Sequence, residues 1–526
     1  MTRGQRLLLG VGVVLAATVY WMRLDAAAGL FKDDGWYIVL GKALAGGRGM
    51  TLINFPVEGA VYHYPPVFPA MLAGVFALFP DFPENLRLLK AISGVAMGVA
   101  GWLTYRLVSP WEIPRSVAVL IGFGVALAPS WVFLATSSVM AECVFLALML
   151  ATLVLADRQQ RGAKWVVLLA LLASLTYLTR SAGVALIIAV ALWMAKERRW
   201  RDVTVFAVAT AMFGTPWLLY KSKVLAQAPS ELQAKLPGGY REQFWQRAAG
   251  ADRPAEISAR ELPLRVWQNT AAVVGADAGA LLLPVVFRPE SESGEEVVEL
   301  TTAVFVPRDF IGWGPGSMGN SWGTKLISLL ASLAMVAGFV TVARKKMRLA
   351  EILTLVFLGT IIVWPGPTFR YLLPLTPLLL YYFTIGVKEL LSSLEYEPDC
   401  WTFGRGALLC VLALYAYDHY GYIQAKRLPV TEAGHPAWRR KFDAAKGGAE
   451  WIKANTSPLE VVAGDNVPLT YLYAGRMTEK CSPAVCAQQG VRYYLRLQEG
   501  FDFAPEHVRY QSPQDSRVQV AELPRR

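Results

Sequence analysis

The sequence predicts an all-α polytopic membrane protein of about eleven transmembrane helices, followed by a small external C-terminal α/β domain. Three observations predict it. Of 526 residues, 54% are apolar and 17% charged, with a mean hydropathy of +0.37, which excludes a disordered chain, a disulfide-stapled miniprotein and an ordinary cytosolic enzyme. Apolar runs near bilayer-spanning length recur along most of the chain. Short loops rich in Lys and Arg separate them in an order that fits one membrane orientation.

The first apolar run, 7–22, follows Arg3 and Arg6 and reads as a signal anchor, with Ala26-Ala27-Ala28 offering the alternative of a cleavage site. Further spans are expected at 86–108, 116–135, 139–156, 165–179, 182–195, 203–220, 322–343, 349–364, 371–387 and 406–421. With the N-terminus inside, the basic loops 157–164, 196–201 and 344–348 all fall on the cytoplasmic side. The net charge of +11 therefore marks inner loops, and no nucleic-acid partner is expected. A span at 264–287 would reverse this order, so that segment is expected at the interface or as a re-entrant element. Residues 65–79, short and split by Pro66 and Pro69, are expected along the outer surface.

Residues 1–421 then form the membrane domain, with external loops 25–85 and 221–320, and residues 422–526 form the small external domain. In that tail Trp451-Ile452-Lys453, Val461-Val462 and Tyr471-Leu472-Tyr473 read as helices and short strands. Cys481 and Cys486 lie outside and are candidates for a disulfide, whereas Cys143, Cys400 and Cys410 lie in or inside the membrane. The expected location is a bacterial inner (plasma) membrane, N-terminus cytoplasmic, C-terminal domain periplasmic or extracellular.

No phosphate-binding G-x-x-x-x-G-K-[S/T] loop, dinucleotide-binding G-x-G-x-x-G after a soluble strand, or H-E-x-x-H occurs. The inner loops are too short for a nucleotide-sugar domain, so a site is expected on the outer face. Lys32-Asp33-Asp34-Gly35-Trp36-Tyr37 is the most unusual sequence there. Adjacent carboxylates raise one another's pKa and suit a base or a metal site; the plainer reading is a turn capping the helix that starts near Trp36. Tyr62-His63-Tyr64-Pro65-Pro66 follows, with His63 either a ligand or a solvated side chain. Glu142, Arg180 and Arg370 map to external ends of spans, where an ionisable group is costly unless it serves a cavity, the alternative for each arginine being snorkelling. Together they make a phosphate-binding catalytic site conceivable. Gly94 and Gly98 read as helix packing, and Tyr240, Arg241, Phe244, Trp245 and Arg247 as an acceptor cover or a surface amphipathic helix.

The order Asp33-Asp34, Tyr37, Gly41-Lys42-Ala43-Leu44, Tyr64-Pro65-Pro66, Glu142, Thr179-Arg180 and Arg370-Tyr371-Leu372-Leu373-Pro374 resembles the GT-C glycosyltransferases, within them the protein mannosyltransferase and lipid A aminoarabinose transferase group. The resemblance spans about residues 1–390. It implies a membrane glycosyltransferase that uses a polyprenyl-phosphate-linked sugar, with Asp33 as base and Asp34 beside it, Glu142 as the second acid, and His63, Tyr64, Arg180, Arg370 and Tyr371 binding substrate. Where many members carry an acidic residue and Lys before the Pro-Pro, this chain has His63 and Tyr64, which leaves Arg180 and Arg370 to meet the phosphate. Arginines or a divalent cation would stabilise the departing phosphate, with Glu142 and His63 the candidate metal ligands. The partners implied are the donor lipid, an acceptor lipid, glycan or protein, and membrane lipids.

Two other classes compete. A secondary transporter or lipid flippase predicts acids at mid-membrane and broken helices in two repeated halves; here the charges sit at external ends and no repeat is visible. A sensor or assembly scaffold would use the C-terminal domain as a receptor. Transfer of labelled sugar by purified protein separates the enzyme from both.

Overall fold

The computed structural model describes residues 3–31, 33–158, 162–227, 239–246, 256–283, 322–365, 368–392, 401–430, 435–497 and 503–524. Much of the loop 221–320, together with Arg247 and Cys400, lies outside the described residues. Each expected span coincides with helix. The chain runs α1 (Arg3–Arg23), α2 (Asp33–Ala45), a two-residue hairpin β1 (Thr51–Leu52) with β2 (Gly59–Ala60), α3 (Val67–Leu78), α4 (Leu86–Val108), α5 (Arg115–Ala126) and α6 (Pro129–Thr136). It continues through α7 (Glu142–Asp157), α8 (Ala163–Thr179), α9 (Val184–Lys196), α10 (Trp200–Gln227), α11 (Tyr240–Trp245), α12 (Leu262–Ala272), a π-helical turn at Val273–Asp277 and α13 (Ala278–Leu282). α14 (Trp322–Lys345), α15 (Leu349–Val363), α16 (Thr368–Leu372), α17 (Thr376–Ser392) and α18 (Trp401–Ala425) complete the helical part.

Among the described residues three helices are long and apolar enough to cross a membrane: Leu86–Val108, Trp200–Ala226 and Leu326–Lys345. The expected span 116–135 is two helices, α5 and α6, meeting at a 44° bend. Pro129 begins the second and lacks the N–H that would continue the first. α3, on the segment expected at the outer surface, is only 12 residues long.

Gly94 and Gly98 do not form the expected packing face. Gly98 faces open space, and a Cβ on Gly94 would meet only Tyr20, 3.9 Å away. The close approach on α4 is one turn further, where a Cβ on Gly101 would lie 3.0 Å from the carbonyl of Gly122 on α5. Spacing locates a small-residue pair without saying which face of the helix meets a neighbour.

The tail is a mixed five-stranded sheet. β3 (Val462–Gly464) pairs in parallel with β4 (Thr478–Glu479) and β5 (Tyr493–Arg496), and β7 (Gln519–Glu522) runs antiparallel to β5 and to β6 (Val508–Gln511), giving the order β4-β3-β5-β7-β6. The helices α19 (Ala437–Asn455), α20 (Val467–Ala474) and α21 (Pro483–Gln488) accompany it. Cys481 and Cys486 are joined in a disulfide.

This unit docks on the first loop. Asn466 Nδ2 donates to the carbonyls of Gly29 (2.9 Å) and Leu30 (3.0 Å), and Thr478 N–H to that of Asn54 (2.7 Å). α20 lies so close to α2 that a Cβ on Gly35 would stand 2.7 Å from Pro468 Cβ, which explains why Asp34 is followed by glycine. Trp438 fills the remaining gap, 6.1 Å from Phe31 and 5.8 Å from Phe133 between ring centres.

The basic-loop order predicts that this docked pair faces outward. In a Cys410→Ser background, cysteines at exposed Val57 and Leu459 are expected to react with an impermeant maleimide in sealed cells, and one at Arg344 only after permeabilisation. Reaction at Leu459 only after permeabilisation would overturn the orientation.

Candidate functional site

Four helix ends converge on one point. Asp33 opens α2, Glu142 opens α7, Arg180 follows α8 and Arg370 lies in α16. Arg370 Nη2 is 3.1 Å from Asp33 Oδ2 and 2.9 Å from Glu142 Oε1, and its Nε is 3.3 Å from the same Glu142 oxygen. Arg180 Nη1 pairs with that oxygen as well. Glu142 is only 2% exposed, so two guanidinium groups compensate one buried carboxylate. Its other oxygen, Oε2, is buried without a hydrogen-bond partner.

Tyr64 donates its hydroxyl to Asp33 Oδ1 at 3.1 Å. Burial and the Asp33 charge push that hydroxyl well above its ordinary pKa, so Tyr64 holds its proton as a donor. Tyr37, one turn into α2, packs edge-on against Tyr64 and Phe68, 5.1 Å from each, and keeps the Tyr64 ring in place. Asp33 itself is about one-third exposed, against 11% for Arg370. The acid at the rim is therefore the one that solvent reaches.

Asp34 turns the other way, as successive helix residues do, about 100° apart. Fully buried, it accepts from the backbone N–H of Gly29 (2.6 Å) and of Phe31 (3.0 Å). The neighbouring carboxylates thus have different partners: Asp34 ties down the preceding loop through those bonds, and Asp33 meets Tyr64 and Arg370. Burial raises its pKa to about 6, against the Gly29 N–H and Lys90, while Asp33 is the smallest contributor.

His63 stacks on Tyr62, 4.2 Å between ring centres, and Lys221 Nζ lies 5.2 Å from the same Tyr62 ring. Among the described residues no group of three or more His, Cys, Asp and Glu side chains is placed to hold a metal ion. The candidate metal ligands Glu142 and His63 are therefore not part of such a group, and both arginines lie against Glu142 Oε1. Tyr371 is an electrostatic neighbour of Arg180 and of Tyr240.

One wall comes from the second loop. Tyr240 OH and Ser181 Oγ are 2.8 Å apart, and Tyr240 packs against Trp364 at 5.9 Å. Arg265 on α12 holds this piece by donating to the carbonyls of Phe244 (2.6 Å) and Gln246. Asn269 Nδ2 donates to the carbonyls of Ile362 (3.0 Å) and Trp364 (2.9 Å) at the end of α15.

No family model matches the sequence, and a search of curated proteins finds no match. Solved structures do. The archaeal oligosaccharyltransferase AglB from Archaeoglobus fulgidus, in complex with an inhibitory peptide and a dolichol-phosphate, matches with a TM-score of 0.52 at 14% identity over 94% of this chain and 70% of that one. The same organism's oligosaccharyltransferase tethered to an acceptor peptide containing the NVT sequon matches with a TM-score of 0.52 at 13% identity, over 93% and 69%. ArnT from Cupriavidus metallidurans in the apo state matches with a TM-score of 0.50 at 15% identity, over 99% and 98%. The chain shares the fold of these structures, which belong to the GT-C superfamily.

Within this GT-C fold, the sequence reading singled out Asp33, Tyr64, Glu142, Arg180 and Arg370, and the structure gathers all five. It missed Lys90, whose buried ammonium donates to the carbonyls of Asp25 (2.7 Å), Ala27 (2.7 Å) and Thr136 (2.9 Å). The rule that flagged Glu142 inside an apolar run applies equally to Lys90 inside 86–108. It also missed Asp25, which accepts from Ser137 Oγ and Tyr422 OH, both at 2.7 Å. Arg265 and Asn269 carried no signal, because their partners are backbone carbonyls.

The raised pKa of Asp34 fixes a sign. Between its ordinary value of 3.8 and about 6 the folded chain holds a proton that the unfolded chain has released, so its stabilising contribution, complete below that window, is lost as pH rises through it. Asp34→Asn is expected to flatten the melting temperature across that range. It should also lower stability by about 1–3 kcal/mol, since an amide offers an acceptor to only one of the two N–H groups. An unchanged slope would assign the titration to another group.

Proposed function

We propose that the chain is a glycosyltransferase that moves a sugar from a polyprenyl-phosphate donor to an acceptor hydroxyl on the outer membrane face, inverting the anomeric carbon. One observation carries the reading: a rim carboxylate, Asp33, shares Arg370 with the buried Glu142, and Arg180 stands beside them. A base and two fixed cations are what displacement at a phosphate-bearing carbon requires. The GT-C fold supports it, and so does the dolichol-phosphate bound by the oligosaccharyltransferase with the same fold.

The chemistry follows from the placement. The acceptor oxygen attacks the anomeric carbon and gives its proton to Asp33. The carbon–oxygen bond to phosphate breaks on the opposite face, and the electron pair leaves with the polyprenyl phosphate. Arg370 and Arg180 meet the charge that grows there. Tyr64 and Arg370 orient the Asp33 carboxylate, one on each oxygen. The unpartnered Oε2 of Glu142 accepts a hydroxyl or amine of the substrate. Tyr240 and Trp364 give an aromatic wall against which the apolar face of a sugar ring can stack. The sugar donor crosses the membrane with its tail in lipid, which accounts for an outer-face site with no nucleotide-binding motif. Acceptors in keeping with this site are a protein hydroxyl, lipid A or another glycan.

Two substitutions test the assignment in a reconstituted assay with labelled polyprenyl-phosphate sugar. Asp33→Asn keeps the shape and removes the base, so transfer is expected to fall by about two to four orders of magnitude while donor lipid still binds. Normal turnover in this variant would remove Asp33 from the chemistry. Arg370→Ala and Arg180→Ala are each expected to lower donor use by roughly 2.7–4 kcal/mol, the range for losing one charge-stabilising donor. Unchanged kinetics in both would return the phosphate to His63.

A further inference from the structure

We infer that a cavity at the far ends of the site-bearing helices binds a phosphate-bearing anion, supplied by a membrane phospholipid headgroup or by a soluble phosphate. The cavity measures 210 Å³, and its lining includes Trp111, Trp193, Arg199, Lys346, Arg348 and Asp157. Glu142 begins α7 and Asp157 ends it; the helix has 16 residues, about 24 Å at 1.5 Å per residue. The cavity is therefore separate from the Asp33 cluster. It lies among the basic loops that the sequence places on the inner face, where lipid headgroups and soluble anions both have access.

Its side chains are arranged as a receptor. Arg348 lies over the Trp111 ring, 4.7 Å to its centre, and Arg199 over the Trp193 ring at 5.3 Å. Stacking fixes each guanidinium plane; Asp202 takes the Nε–Nη2 edge of Arg199, whereas Arg348 keeps Nη1 for a ligand. Most nearby acids already have partners. Asp157 Oδ1 accepts from Trp111 Nε1 at 3.3 Å, Glu197 pairs with Lys196 at 3.0 Å, and Asp202 accepts from Arg199 Nε at 2.7 Å. Three cations and two carboxylates, Asp157 and Glu197, line the cavity; Asp202 offsets Arg199 and Lys196 offsets Glu197, so Arg348, with Glu351 behind it, and Lys346 are the cations that face the cavity.

Two further observations point to a ligand. Arg348 Nη1 is buried without a hydrogen-bond partner, and an unmet buried donor costs about 1–3 kcal/mol. Among the described residues only two non-glycine residues adopt left-handed backbone, Glu112 (φ 59°) and Arg198 (φ 56°). They are the chain neighbours of Trp111 and Arg199. Such conformations persist where surrounding structure enforces them, and they gather at ligand sites. A phosphate group, with several oxygens around one centre, satisfies the Arg348 edge and the Lys346 ammonium together.

The full-length protein in detergent provides the test. Native mass spectrometry with phosphatidylglycerol, and with phosphatidylcholine as the zwitterionic reference, probes the lipid source. Melting in inorganic phosphate against chloride at equal ionic strength probes the soluble one. Wild type is expected to retain phosphatidylglycerol preferentially or to melt higher in phosphate, and whichever signal appears names the source. Arg348→Gln is expected to weaken that signal about tenfold, the loss of one charge-assisted hydrogen bond. Asp33→Asn should leave it unchanged. If Arg348→Gln does not fold, exposed Lys346→Gln carries the same test. Binding of neither probe, or equal signals in wild type and these variants, overturns the proposal.

Discussion

Arg370 is the tie on which the arrangement depends. Its guanidinium reaches Asp33 from the first loop and Glu142 from the start of α7, and Arg180 closes the set from the end of α8. None of these groups is stable alone in an apolar setting, so each fixes the position of a helix end that brings its partner. Replacing a buried ion cluster of this kind with apolar side chains is often neutral or stabilising. Stability alone therefore does not account for its presence, whereas the proposed chemistry on a charged leaving group would.

A second buried cation performs the structural task. Lys90 gathers the carbonyls of Asp25, Ala27 and Thr136, which fastens the chain just ahead of α2 to the end of the bent pair α5–α6. The Asp25 carboxylate carries the tie onward to Tyr422 on α18, and to Lys426 and Arg439 at 3.4 and 3.5 Å. Asp34 adds its two backbone bonds to the same loop. Asp33 is thus held from behind by a network on the side away from Tyr64 and Arg370, and in the proposed mechanism the two adjacent acids divide positioning from reaction.

The helical architecture and the clustered charged side chains were legible in the sequence for different reasons. Lipid makes apolar length a direct signal of a helix, and a charge inside or at the end of such a run is costly enough to mark Glu142, Arg180 and Arg370. The role of Asp34 was not legible, because adjacency in sequence says nothing about the 100° that separates neighbouring side chains on a helix. The packing face of α4 was misread at Gly94 and Gly98 for a related reason: the spacing is periodic, but the neighbour is set by tertiary structure. Arg265 and Asn269 were invisible because backbone carbonyls, which every residue has, are their partners.

The C-terminal unit also acquires a meaning that composition did not give it. Composition marked it as a separate external domain, yet Asn466 holds the backbone of Gly29 and Leu30 while Pro468 rests on Gly35. The same Gly29 also donates to Asp34, so the tail and Asp34 grip opposite groups of one peptide segment. A shift of α20 along its axis would therefore be transmitted to the first turn of α2, and so to Asp33, through hydrogen bonds of 3.0 Å or less. Positioning a base to within a fraction of an ångström is a larger demand than folding a helix. For Asp33, the base proposed above, that demand is met by packing the C-terminal α/β unit onto the loop that carries it.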